Sequence, residues 1–140
     1  MTTPPPIAAI ASEIRDEFDF LDDWEARFQH IIDMGKALPP LADADFAEEN
    51  KVRGCASQVW LIAEPTDDNR INFRGASDAM IVSGLVGILL RLYSGQKAED
   101  ISSFEAEQFF ADIGVSEALT PQRSNGLTSM LARIRAEAAA

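Results

Sequence analysis

The stretch Ser57-Gln58-Val59-Trp60-Leu61-Ile62-Ala63-Glu64-Pro65-Thr66-Asp67-Asp68-Asn69-Arg70-Ile71-Asn72-Phe73-Arg74 decides the fold. Its first half is rich in β-branched and aromatic residues, Thr66-Asp67-Asp68-Asn69 has turn chemistry, and Ile71-Asn72-Phe73-Arg74 alternates apolar with polar. A β-hairpin is predicted here. Immediately upstream, Lys51-Val52-Arg53 predicts a third antiparallel strand, which would leave Gly54-Cys55 in a loop beside the sheet. Trp60 is expected in the core, because it falls inside an apolar strand.

Outward from the hairpin the apolar period changes to that of a helix. Ile7, Ile10, Ile14 and Phe18 recur at spacings of three and four and predict a first helix after Pro4-Pro5-Pro6, with residues 1–6 frayed. Asp22 or Asp23 caps a second helix carrying Trp24, Phe28, Ile31 and Ile32, which Pro39-Pro40 stops shortly after Gly35. Residues 42–50 are acidic and short in large apolar residues, and read as a surface connection. Past the hairpin, Ser77 or Asp78 caps an apolar helix over residues 79–93, with Gly84 and Gly87 placed for close packing and Gly95 ending it. Ser102-Ser103-Phe104-Glu105 resembles a capping box before residues 107–112, and Thr120-Pro121 is a cap followed by proline at the first helical position. The last helix carries Leu127, Met130, Leu131 and Ile134. Helices at both ends with strands between them predict an α+β domain, a small antiparallel sheet covered by helices.

With 140 residues, 46% hydrophobic and 25% charged, the chain has the size and composition of a single domain, 1–140, with a real core. Its formal net charge of -11 repels phosphate backbones and anionic lipid, which argues against nucleic acid as a partner. The N-terminal stretch has no basic opening and no long apolar segment, so no secretory signal is read there and a cytoplasmic location is expected. The apolar run over residues 79–92 is shorter than the roughly 18 residues a spanning helix needs, so no membrane role is expected.

One cysteine, Cys55, and one histidine, His30, exclude an internal disulfide and a closed tetrahedral zinc site. Cys55 lies in Arg53-Gly54-Cys55-Ala56-Ser57-Gln58, where small neighbours leave space around the sulfur. A thiol is a good nucleophile only as thiolate, and Arg53 is the nearest cation in sequence, although alternate residues of an extended segment face opposite sides. Unpaired cysteine is also among the most commonly buried residue types, so a small buried hydrophobe and a working thiol both stay open. Papain-like chemistry needs a histidine base, and His30 reads as a solvated residue on a helix surface.

Val52-x-Gly54-Cys55-x-Ser57-x-Val59-Trp60 resembles the sulfur-acceptor signature of the SufE family, which includes the closely similar CsdE proteins. Phe18-x-Phe20-Leu21-x-Asp23-Trp24, Leu38-Pro39-Pro40-Leu41, Gly75-x-Ser77-Asp78-Ala79 with Gly84-Leu85, and Leu119-Thr120-Pro121-x-Arg123-Ser124-x-Gly126-Leu127 extend the resemblance from about Phe18 to Arg135. Gln122 departs from it, standing where the family often has serine.

The resemblance implies a fold like the iron–sulfur scaffold domain and a role as sulfur carrier. Cys55 would take persulfide sulfur from a cysteine desulfurase of SufS or CsdA type, stimulate that enzyme, and deliver sulfur for iron–sulfur cluster assembly. The pyridoxal phosphate belongs to the desulfurase, so the chain needs no cofactor and has no independent activity under this reading. Arg123 would stabilise the Cys55 thiolate or contact the partner, if the fold brings them together, or serve only as a solvated or capping arginine. Ser57 and Gln58 would hydrogen-bond the loop that holds Cys55, Gly54 gives it room, and Asp78 is a plain helix cap. Sulfur relay to another route such as RNA thiolation, a cysteine hydrolase or peroxidase, a purely allosteric activator and a cluster scaffold are the rival readings. The last is weakened because a cluster needs several thiolates.

Overall fold

The hairpin forms as the alternation requires: β1 (Val59–Pro65) and β2 (Arg70–Ser77) pair antiparallel in a register running from Val59 opposite Ser77 to Pro65 opposite Ile71. The computed structural model describes residues 4–140. The turn between the strands closes with the Thr66 amide donating to the Arg70 carbonyl at 2.8 Å, and Asn69 takes the left-handed conformation at φ 64°, which asparagine tolerates. Val59, Leu61, Ile71 and Phe73 face the core.

The third strand is not the expected one. Gln96–Lys97 forms β3 against Arg70 and Ile71, so the sheet order is β1-β2-β3. Lys51-Val52-Arg53 contributes a single bridge, Lys51 to Trp60, and one further bond in which the Val52 amide donates to the Val59 carbonyl at 2.8 Å. The physical reason is Gly54, whose φ of 89° turns the chain out of the sheet before a ladder can grow. Trp60 is likewise half-buried, not core. It lies on the opposite face of β1 from Val59 and Leu61, and Phe46 covers it edge-to-face with ring centroids 4.9 Å apart.

Helix α1 (Ile7–Phe20) buries the predicted stripe Ile7, Ile10, Ile14 and Phe18. Met1, Thr2 and Thr3 lie outside the described residues; Pro5, expected to be frayed, is tied down where its carbonyl accepts from Gln96 Nε2 at 2.7 Å. Helix α2 (Trp24–Lys36) starts at Asp23, whose carboxylate accepts from the Ala26 amide at 2.8 Å. Residues 42–50 contain two short 3-10 turns, Asp43–Asp45 and Glu48–Asn50.

Helix α3 (Met80–Tyr93) is the central element, packed between α2 and the sheet. Its glycines allow that approach: a Cβ on Gly84 would lie 2.2 Å from the Ile31 carbonyl oxygen, and one on Gly87 2.7 Å from that of Met34. Asp78 does not cap it. The Ser77 hydroxyl accepts from the Ala79 amide at 3.2 Å, while Asp78 is occupied elsewhere, as shown below.

Beyond Gly95 come α4 (Ala98–Ser103), α5 (Ala106–Asp112), α6 (Val115–Ala118) and α7 (Pro121–Ala139). The expected capping box is absent from the start of α5, because Ser102 and Ser103 close α4 and the Ser103 hydroxyl donates back to the Glu99 carbonyl. Thr120 caps α7 as its sequence predicts, accepting from the Arg123 amide at 3.3 Å. The architecture is α+β, three short antiparallel strands covered by helices. No helix among the described residues is long and apolar enough to cross a membrane.

Candidate functional site

Cys55 sits in a loop held at both ends. Val52 is buried and bonded to Val59 at its base. At the far end Gln58 and Asp78 clamp each other: the Gln58 amide donates to Asp78 Oδ1 at 3.0 Å, and the Asp78 amide donates to the Gln58 carbonyl at 3.2 Å. Asp78 therefore joins the cysteine loop to the start of α3. The incoming segment is held by α7, where Arg133 donates to the carbonyls of Lys51 at 3.2 Å and Glu49 at 2.9 Å. Arg133 carried no signal in the sequence, since an arginine on a helix says nothing of which distant carbonyls it will reach.

Gly54 places the loop against α7. Besides its left-handed backbone, a Cβ there would stand 2.5 Å from Ser129 Oγ. One residue on, the half-buried Cys55 thiol donates to the Gly126 carbonyl of α7, with sulfur to oxygen 3.6 Å. A Cβ built at Gly126 would meet the sulfur at 3.7 Å, an ordinary van der Waals contact, so the sulfur is packed directly against α7. Beside the sulfur lies a cavity of about 230 Å³, bounded by Cys55, Ala56 and Ser57 on one side, by the cap residue Thr120 and by Gln122, Arg123, Gly126 and Met130 of α7, and by Val82 of α3.

The electrostatics favour the neutral thiol. Burial pushes the Cys55 thiol above the ordinary cysteine value, since a charged sulfur would lose water that the cavity wall does not replace. The Gly126 carbonyl acts in the same direction, because it can accept from S–H but repels a thiolate. Arg53, expected as the nearest activating cation, does not serve. It is exposed and turned to Glu48, with 3.6 Å between the charged groups, because the left-handed turn at Gly54 separates its direction from that of Cys55.

The fold does bring Ser57 and Arg123 into the wall of the Cys55 cavity, and it puts Gln58 and Asp78 at the loop's hinge. His30 is not there. Its Nε2 lies 2.9 Å from Glu17 Oε1, and its ring meets Phe18 edge-on at 5.4 Å, so it is half-buried and paired, not freely solvated. Glu17 is held below the usual carboxylate range chiefly by Arg91, with His30 adding to the effect against the cost of burial. Thr120, Gln122, Gly126 and Met130 were legible as parts of a helix but not as cavity wall, which depends on where α7 packs. Among the described residues, no three His, Cys, Asp or Glu side chains gather where they could hold a metal ion. A lone thiol with space beside it and no histidine base suits exchange at sulfur better than hydrolysis.

Comparison with known proteins gives concordant matches. The model of the SufE family, described as an Fe-S metabolism associated domain, matches residues 12–138. An uncharacterized SufE-like protein of Rhizobium etli is 51% identical over 133 residues, covering 93% of this chain and 90% of that one. A second from Rhizobium meliloti is 47% identical over 129 residues, covering 90% and 92%. The solution structure of a hypothetical protein from Thermus thermophilus superposes with a TM-score of 0.76 over 99% of this chain and 96% of its own, at 21% identity, a likeness of fold.

Proposed function

The chain belongs to the SufE family of Fe-S metabolism associated domains, and from that premise we propose that Cys55 accepts persulfide sulfur from a cysteine desulfurase and carries it toward iron–sulfur cluster assembly. The donor is a pyridoxal-phosphate enzyme of SufS or CsdA type that holds sulfur as a persulfide on its own cysteine. Cys55, as thiolate, attacks the terminal sulfur; the donor cysteine leaves as thiolate and takes up the proton that Cys55 gave. Sulfur moves between the two cysteines with no external oxidant or reductant. Removing the persulfide also frees the desulfurase for another turnover, which is how the chain stimulates it. The pyridoxal phosphate and the carbon–sulfur cleavage stay with the donor.

The observation that supports this reading is the cavity beside the chain's one thiol, roomy enough for an added sulfur and lacking both a metal-binding cluster among the described residues and a histidine base. Cys55 in its sheltered state is a poor nucleophile. Docking therefore lifts residues 53–57 off α7, breaking the weak bond to Gly126 and exposing the sulfur, while Val52 and the Gln58–Asp78 clamp act as hinges. The net charge of -11 suits a partner with a basic docking face and disfavours nucleic acid. The reaction belongs in the cytoplasm, where thiols stay reduced.

The test is intact mass after incubation with a candidate desulfurase, pyridoxal phosphate and L-cysteine, for wild type and Cys55→Ser. Gain of one sulfur, reversible by reductant and absent in the variant, is expected. Failure to gain sulfur from desulfurases that are themselves persulfidated would overturn the proposal. Cys55→Ser that still stimulates a desulfurase as wild type does would make the chain an activator only.

A further inference from the structure

The chain has nine arginines, and eight of them are engaged. Arg15, Arg53, Arg70, Arg74, Arg91, Arg133 and Arg135 each pair with a carboxylate. Arg27 donates to the Leu21 carbonyl at 3.1 Å and lies over the Trp24 ring. Only the Arg123 guanidinium has no carboxylate, carbonyl or aromatic partner among the described residues; its hydrogen bond is made by the backbone amide, to Thr120. In a chain with an excess of 11 negative charges, a free guanidinium is the exception. Its place adds to the anomaly. Arg123 is exposed, in the first turn of the 19-residue α7, where the helix dipole already presents positive charge and mildly disfavours a cation without an anion beside it. That turn forms the wall of the Cys55 cavity.

The sulfur in the cavity is not that anion while it is a thiol. It is half-buried, bonded to the Gly126 carbonyl and pushed toward the neutral form. Sulfur transfer changes this, because the outer sulfur of a persulfide is more acidic than a thiol and stands one sulfur–sulfur bond out from Cys55 Sγ, beside the cavity. Resting on the persulfide-acceptor reading above, we propose that Arg123 holds the outer sulfur of the Cys55 persulfide as its anion, within the cavity walled by α7. Arg123 thus acts on the product of transfer and not on the resting thiol. The step balances as donor persulfide anion plus Cys55 thiol giving donor thiol plus Cys55 persulfide anion, and the guanidinium supplies the counter-charge on the product side. The same contact favours sulfur moving onto this chain.

The test forms the persulfide without a desulfurase. The full chain is treated with inorganic polysulfide, freed of excess reagent, and the perthiolate absorbance of wild type, Arg123→Gln and Arg123→Lys is followed against pH. Alkylation of the unloaded thiol against pH is measured for the same three proteins. Losing a cation beside the outer sulfur should raise its proton affinity about tenfold in Arg123→Gln, with Arg123→Lys restoring most of the difference. The unloaded thiol should alkylate with the same pH profile in all three. A persulfide titration in Arg123→Gln within about twofold of wild type, or a thiol profile that shifts with it, would overturn the assignment. So would an Arg123→Gln protein that needs more desulfurase to be loaded while its persulfide titrates normally, since the guanidinium would then belong to partner docking. Should no desulfurase load the wild type while the chemically formed persulfide still shows the Arg123-dependent titration, the assignment would stand and the functional reading would fall.

Discussion

Gly54→Ala tests whether the cysteine loop is set by its backbone. Gly54 has φ 89°, and a Cβ there would lie 2.5 Å from Ser129 Oγ. An L-residue in the left-handed region costs about 1–2 kcal/mol, of which about 0.4–1 kcal/mol is offset because alanine restricts the unfolded chain. The close contact adds about 0.5–1.5 kcal/mol, since the obstacle is the end of a rotatable side chain and Ser129 can be forced off its preferred rotamer. The net expectation is a loss of about 2 kcal/mol, within a span of about 0.5–3 kcal/mol, measured by urea unfolding at unchanged m-value. Because the strain is confined to residues 53–58, it should also favour local opening, and a 1.4 kcal/mol shift would speed Cys55 alkylation about tenfold. Ser129→Ala alone should change stability by less than about 0.5 kcal/mol. Gly54→Ala with Ser129→Ala should recover the steric share and keep the backbone share. Full recovery in the double variant would refute the backbone argument, and an undisturbed single variant would refute both.

Gly84→Ala should destabilise by about 3 kcal/mol, the upper end for overpacking, because its Cβ would meet the Ile31 carbonyl, a backbone atom that cannot rotate away; a thermal melt within a degree or two of wild type would mean that α2 and α3 are not so closely apposed. Cys55 alkylation in the resting protein should inflect at higher pH than a peptide cysteine and run slower at neutral pH, and an inflection at or below the peptide value would show a cation near the sulfur. The Arg135 guanidinium, 2.7 Å away, holds Glu107 down at about 2. The stability this gives is fully present above the ordinary glutamate value near 4.5 and is lost as pH falls through about 2. As the Glu107 side chain is largely exposed and that of Arg135 is 33% exposed, solvent screening limits the effect to about 0.5–1 kcal/mol, so wild type should exceed Glu107→Gln by that amount at neutral pH and converge with it near the acid limit.

The legible parts of this protein were those decided within a few residues. The stripe Ile7, Ile10, Ile14, Phe18, the Asp23 and Thr120-Pro121 caps and the hairpin around Thr66-Asp67-Asp68-Asn69 all rest on periodicity, capping or turn chemistry, which act over about one helical turn or one strand. The same local reading singled out Cys55 as a lone thiol in a Gly-Cys loop. It misplaced the third strand because Gln96–Lys97 is two residues long with no pattern of its own, and pairs only because Gly95 turns the chain back along Ile71. It misread Asp78, which had two uses on offer, a local cap and a distant clamp, and took the distant one through Gln58.

Sequence alone thus determined an α+β chain with one cysteine set in a loop by a sheet. Tertiary packing decided what that cysteine is: α7 returns from 71 positions down the chain to put the Gly126 carbonyl against the sulfur and Arg123 in the cavity beside it, while Arg53, two residues away, turns to Glu48. The reason is physical, since desolvation and electrostatic contact depend on distance in space, and the backbone turn at Gly54 sends neighbours in sequence to different surroundings.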